Sequence, residues 1–372
     1  MTIYDFRCKV LITKFRVMKK LLIVLFLTIF FSFQMLAQIG DSVNRGLWVP
    51  RDFGRYFVSD IYSPVTKLQL GSGSNGTDYN NDPQRTTGHI ALGEFTLGAD
   101  IPLYSGHFRL ADEDFRFSVT SSISAVILFD ILNKKSSPIL NVDYRLELMD
   151  LFLLKEFRGR YLKNVLLRIA PFQHESTHIG DELTLYRKEA GFPITRINVS
   201  YDSGEISCTL NDPAGKISNN HAFTLGGRLL YRGDKTDGFY TMQSSEGDLS
   251  FFVPSSRRLE GYFRYQYDSP GGPFRIGRFF PVVSAELRQR VKFGYNYYEA
   301  DPSSASGFRE ITRAEKYAPC LNLYAGWRDR GKSGHPGRIG GFFRYYSGIN
   351  PHGQFRNIPR YTFFGFAVVY EN

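Results

Sequence analysis

The chain has 372 residues, 42% of them hydrophobic and 16% aromatic, with 33 Phe, 23 Tyr, 35 Gly and a formal net charge of +10. Its Lys and Arg are scattered singly, which excludes a nucleic-acid footprint, and beyond the first 37 residues no run of 18 apolar residues occurs, which excludes a helical membrane protein. Cys208 and Cys320 lie far apart, so no disulfide framework is indicated.

In chain order, the first element is a secretory signal. The stretch "MKKLLIVLFLTIFFSFQMLAQ" opens on Lys19 and Lys20, continues through an apolar run over 21–33, and closes at the small residue Ala37. That run is shorter than the ~20 residues of a spanning helix. The expectation is a leader over 1–37 with its true start at Met18, a short periplasmic lead over 38–61, and a single folded unit over 62–372. Removal of the leader takes away six basic residues and Asp5, which brings the formal charge from +10 to +5.

The next elements alternate with a period of two. In "FRFSVTSSISAVILFDI" the odd positions are Phe115, Phe117, Val119, Ser121, Ile123, Ala125, Ile127, Phe129 and Ile131, while the even set includes Arg116, Ser118, Thr120, Ser122, Ser124 and Asp130. From Val283 the pattern returns, with Val283, Ala285 and Leu287 set against Ser284, Glu286, Arg288, Arg290 and Lys292. Only strands segregate side chains in this way. Soluble strands run about 5 to 6 residues, whereas a tilted strand crossing a bilayer needs roughly 9 to 11. Several segments here reach the longer figure, so the expectation is an all-β fold: a transmembrane antiparallel β-barrel of 12–14 strands with a polar lumen and an apolar outer wall.

Outer connections are expected near 71–88, 177–194, 211–220, 244–257, 299–316 and 348–359, and inner turns near 202–203 and 232–237. Tyr295, Tyr297 and Tyr361 are expected in an aromatic girdle. Arg116, Arg288, Arg290, Lys292, Arg328 and Arg344 on the lumen face would favour anions if water passes. Outer-membrane lipid is the one partner implied; no nucleic acid and no protein partner is indicated, and oligomeric state is left open.

Within this pattern, "FQHESTHIGDE" over 172–182 gathers two histidines, a serine and three acids. His174 and Ser176 share a strand face, and Asn198 follows on the expected return strand "RINVSYD". A base, a nucleophile and an orienting amide would then be neighbours.

On these residues the chain is similar to two outer-membrane hydrolase families, phospholipase A and the lipid A deacylase, whose catalytic strand carries His-x-Ser near the outer rim. The resemblance implies acyl hydrolysis by His174, Ser176 and Asn198, with Ca2+ as a possible cofactor; no other cofactor is expected. A second resemblance covers more of the chain. "HESTHIGDE", "RINVSYD" and "NPHGQ" over 350–354 look like an uncharacterised family of Gram-negative outer-membrane barrels whose string is His-Gln-Ser-Ser-His-Leu-Gly-Asp-Glu. Here Glu175, Thr177 and Ile179 depart from it, and it carries no known activity.

Side-chain parity weighs against a copy of the hydrolase arrangement, because Arg168 is even like His174 and Ser176. If His174 faced lipid, an unbroken strand would place Arg168 there too, roughly 15 Å deeper, at a cost of about 2 to 4 kcal/mol. The parity of 196–201 agrees, so Arg168, His174, Ser176, Arg196 and Asn198 are expected as a lumen network at the extracellular rim, unless a bulge at Pro171 reverses the register. A metal site is the third reading. His174 and His178 lie about 13 Å apart on a continuous strand, too far to share an ion, so His178, Asp181 and Glu182 would need the chain to turn after Ser176. His352 is expected to be solvated at a turn. The primary expectation is thus a Gram-negative outer-membrane barrel with a binding or channel-like role, the alternative an outer-membrane acyl hydrolase.

Overall fold

The structure, a computed structural model, describes residues 46–47, 53–54, 56–74, 89–110, 113–132, 139–159, 161–180, 195–196, 200–212, 220–233, 240–241, 258–269, 274–292, 295–300, 303, 308–313, 316–329, 338–353 and 361–371. The leader over 1–37 lies outside them. Twelve long strands form one closed antiparallel wall: β1 Thr66–Ser74, β2 His89–Leu110, β3 Glu113–Asp130, β4 Ile139–Glu156, β5 Asn164–Ile179, β6 Ser200–Leu210, β7 His221–Gly233, β8 Arg258–Asp268, β9 Phe279–Lys292, β10 Lys316–Asp329, β11 Arg338–Gly348 and β12 Tyr361–Glu371. Each pairs with its neighbours in sequence, and β12 closes on β1, Phe366 standing opposite Leu70. Closure leaves no unpaired edge, the condition for a sheet to cross a membrane.

The alternation read from the sequence sets the wall's two faces. On β3, Ser118, Thr120, Ser122 and Ser124 are buried inside while Ile123 is exposed; on β9, Ser284, Glu286, Arg288 and Arg290 are buried while Val283 and Leu287 are exposed. The outer face carries exposed Leu97, Ile206, Leu225, Leu259, Phe343 and Phe366, the apolar outer wall that a membrane barrel requires. Both ends of the wall's chain, Thr66 and Glu371, lie at the rim of the shorter connections. The connection over 211–220 belongs to that rim and not to the opposite one, because β6 runs unbroken through 202–203, where a turn was expected. Tyr361 is buried inside, its ring tilted against that of Tyr346 with centroids 5.7 Å apart, so it is not a girdle residue. The side chains of Tyr295 and Tyr297 lie outside the described set.

The interior is a packed core. Residues 53–54 and 56–61, expected as the end of a periplasmic lead, thread into the lumen together with 62–63. Asn322 Nδ2 donates to the Ser59 carbonyl at 2.7 Å, Arg264 Nη2 to Asp60 Oδ1 at 2.7 Å, and Arg145 Nη1 to the Ile61 carbonyl at 2.8 Å. The Tyr62 ring lies against Arg145, Arg228 and Arg288 at 4.7, 4.1 and 4.9 Å, and its hydroxyl accepts from Arg290 Nη2 at 3.1 Å. Above and below this charged layer the lumen turns apolar. Leu92, Leu128, Leu140, Tyr346, Ile349 and Phe363 cluster toward the rim of long connections, and Phe53, Phe152, Leu154 and Leu166 toward the other.

Candidate functional site

The site lies on β4, β5 and β6, where two neighbouring strands change parity together. On β5, Leu166, Arg168 and Ala170 are buried inside; beyond Pro171 the buried set becomes Gln173, Glu175 and Thr177. The β5–β6 register shifts between Ala170 and Gln173, while on β4 the register against β3 shifts around Met149, whose φ is +61°. Pro171 has no N–H for the ladder, and such residues are tolerated in sheets at bulges. Each bulge adds a residue, and one extra residue turns every following side chain to the other face.

The flipped inner face is then locked by hydrogen bonds. Gln173 Nε2 donates to Glu147 Oε1 at 2.9 Å, the Tyr201 hydroxyl donates to Glu175, and Thr177 Oγ1 donates to Asn141 Oδ1 at 2.8 Å. The alternate residues His174, Ser176 and His178 consequently lie on the outer wall, close to the end of β5 at Ile179 and to the rim of long connections. The lumen network expected from parity is therefore divided. Arg168 is inside, bonded to Asp150 at 2.6 Å, Glu147 at 2.7 Å and Glu205 at 3.3 Å. His174 and Ser176 are outside. Asn198 lies outside the described residues, as does the Arg196 side chain.

Opposite His174 on β6 stands Asp202, not Asn198. His174 Nδ1 and Asp202 Oδ1 are 2.8 Å apart, with the imidazole 40% exposed and the carboxylate 13%. A carboxylate partner at Nδ1 favours the tautomer with its proton on Nδ1, because an ionised carboxylate only accepts. Ser176 follows two residues along the same face, opposite Tyr144 on β4, which is 54% exposed. An acid, an imidazole and a hydroxyl thus share one outward patch, the acid and the imidazole in contact and the hydroxyl two residues along the same strand face. Asp202 is the residue that the sequence reading missed. It ends the quoted string "RINVSYD", and the turn placed at 202–203 removed it from view.

The metal reading required the chain to turn after Ser176. It does not: β5 continues through His178 to Ile179, so His174 and His178 remain apart. Asp181 and Glu182 lie outside the described residues, and among those described no group of three or more His, Cys, Asp or Glu side chains is placed to hold an ion.

His352, expected at a solvated turn, is 1% exposed. Its Nε2 is 3.3 Å from Glu94 Oε2 and its Nδ1 3.5 Å from Asp143 Oδ2, and the next amide, Gly353, donates to Asp143 Oδ1 at 3.0 Å. Asp143 pairs with Thr177 in the β4–β5 ladder, so this segment is anchored directly behind the outward patch.

No protein-family model matches the chain, and no curated protein does either. Among solved structures, it is similar to the Salmonella typhi outer membrane phospholipase, described as a dimer with bound calcium (14% identity, 87% of this chain and 94% of that one, TM-score 0.42). It is also similar to outer membrane phospholipase A from Escherichia coli (12% identity, 87% and 94% covered, TM-score 0.42) and to the translocator domain of the autotransporter NalP from Neisseria meningitidis (9% identity, 83% and 87% covered, TM-score 0.33). All are comparisons of one barrel with another.

Proposed function

We propose that the chain is an outer-membrane acyl hydrolase that cleaves lipid esters from the outer wall of its barrel. Ser176 Oγ attacks the ester carbonyl while its proton passes to His174 Nε2; the tetrahedral intermediate collapses, and the same proton leaves with the departing alcohol. Water then releases the acyl group by the same route. Asp202 holds the imidazole in the tautomer this requires and offsets the charge it gains. The observation that carries this reading is the 2.8 Å contact of His174 with Asp202 on the outer face, with Ser176 next along the strand. A polar trio facing outward near a rim costs about 0 to 1 kcal/mol per group, far less than at mid-wall, so the patch is affordable where lipid esters lie.

The binding or channel-like role has less support, because among the described residues the interior is filled by the threaded segment and paired charges. The test is fatty-acid release from phospholipid and from lipid A dispersed in detergent, with calcium and with chelator, for the unaltered protein and for Ser176→Ala and His174→Ala. Release that both substitutions abolish supports the reading. No release under any condition, or release that survives both, overturns it.

A further inference from the structure

Acyl transfer through Ser176 needs a donor for the oxyanion, and the strand cannot supply one from its backbone. Ser176 pairs with Tyr144 on one side and Ser200 on the other, so β5 is an inner strand whose N–H groups serve the ladders. The donors that the outward patch itself can offer are side chains. Among the described side chains around Ser176 on the outer face stand Leu146, which is apolar, Asp202, which only accepts, and His174, which is the base; the side chain of Ser200, opposite on β6, lies outside the described set. Of the described side chains, Tyr144 and His178 remain. Tyr144 is directly cross-strand, with Cβ atoms about 4.5 to 5.5 Å apart in such a pair, and its phenol is long enough to lean over the serine. His178 is two residues further toward the rim, roughly 6 to 7 Å along the strand.

Resting on the hydrolase reading, we infer that Tyr144 is a further catalytic residue whose hydroxyl donates to the developing oxyanion. It stands on the β4 side of Ser176, whereas the carboxylate that orients the base is on β6. Donor and base therefore approach the tetrahedral carbon from different sides. A hydroxyl fixed beside the nucleophile stabilises charge that appears only in the transition state, so its loss is read in kcat and not in KM.

The experiment uses the full protein in detergent with calcium throughout and compares Tyr144→Phe, His178→Gln and Ser176→Ala on dispersed phospholipid. Tyr144→Phe removes one oxygen and keeps the ring. Its kcat is expected to fall on the order of 10²- to 10³-fold with KM within about threefold, and with the barrel's heat-modifiable mobility unchanged. The inference is overturned if Tyr144→Phe keeps kcat within about threefold, if its loss is confined to KM, or if His178→Gln alone carries the kcat loss. Those outcomes leave the hydrolase reading standing so long as Ser176→Ala is inactive. Activity in Ser176→Ala equal to the unaltered protein would overturn both.

Discussion

Arg168 and His174, six residues apart on one strand, face opposite sides of the barrel wall. Arg168 is buried among Glu147, Asp150 and Glu205, and His174 stands outside against Asp202. An unbroken strand would place both on one face, so the bulge at Pro171 decides the chemistry available to the motif. Cysteine accessibility checks it. On a Cys208→Ser background, with Cys320 buried, Ser176→Cys should react with a maleimide in the folded protein and Thr177→Cys only after unfolding. The reverse order would return the motif to the lumen.

Arg168 also carries a stability prediction. It is the cation bonded to three buried carboxylates at the foot of the bulge, and its removal would leave Glu147 and Asp150 without their bonded counter-charge, while Glu205 keeps the Tyr262 hydroxyl. Arg168→Ala is expected to destabilise the barrel by about 3 to 5 kcal/mol, the range for breaking a buried pair from one side. Denaturant midpoints of the refolded protein measure it. A change below about 1 kcal/mol would mean that water reaches the cluster.

What was legible in the sequence follows from which forces repeat along it. Ser118 to Ser124 and Ser284 to Arg290 announce their inner face because one solvent lies on each side of the wall and the period is two. That regularity gave the barrel, its polar interior and the lumen position of Arg168. Pro171 marks in the sequence a place where the parity can break, but the matching register shift around Met149 on the neighbouring strand is displayed by no local pattern. Asp202 was hidden by one misplaced turn. The threading of 56–63 rests on contacts such as Asn322 with Ser59 and Arg264 with Asp60, more than 200 residues apart, and a segment without alternation gives no sign of them.

His352 predicts a pH dependence. Burial works against its charge, but the carboxylates of Asp143 and Glu94 against its two ring nitrogens outweigh it, holding the imidazole above its ordinary 6.5. The folded protein therefore binds this proton more tightly than the unfolded chain. The resulting stability is fully present below about pH 6.5 and is lost as pH rises through the elevated folded value. Midpoints of unfolding should fall across that window in the unaltered protein and stay flatter in His352→Gln. Equal slopes for the two would show that the segment over 349–353 is held by other contacts.

The contact between His174 and Asp202 gives the last prediction. Asp202→Asn keeps the size of the side chain and a hydrogen bond, but the amide can donate to Nδ1, which moves the imidazole proton to Nε2 and leaves no base facing Ser176. If Asp202 orients the base, kcat for ester hydrolysis should fall on the order of 10²- to 10⁴-fold while KM changes little. Raising the pH should restore little, because the neutral imidazole would still present the wrong nitrogen. If the pair only fastens β5 to β6, Asp202→Asn should leave kcat near its original value and lower the unfolding midpoint instead. Measuring both quantities on one preparation separates the two: a shifted midpoint with intact kcat removes Asp202 from the mechanism, and an intact midpoint with collapsed kcat places it there.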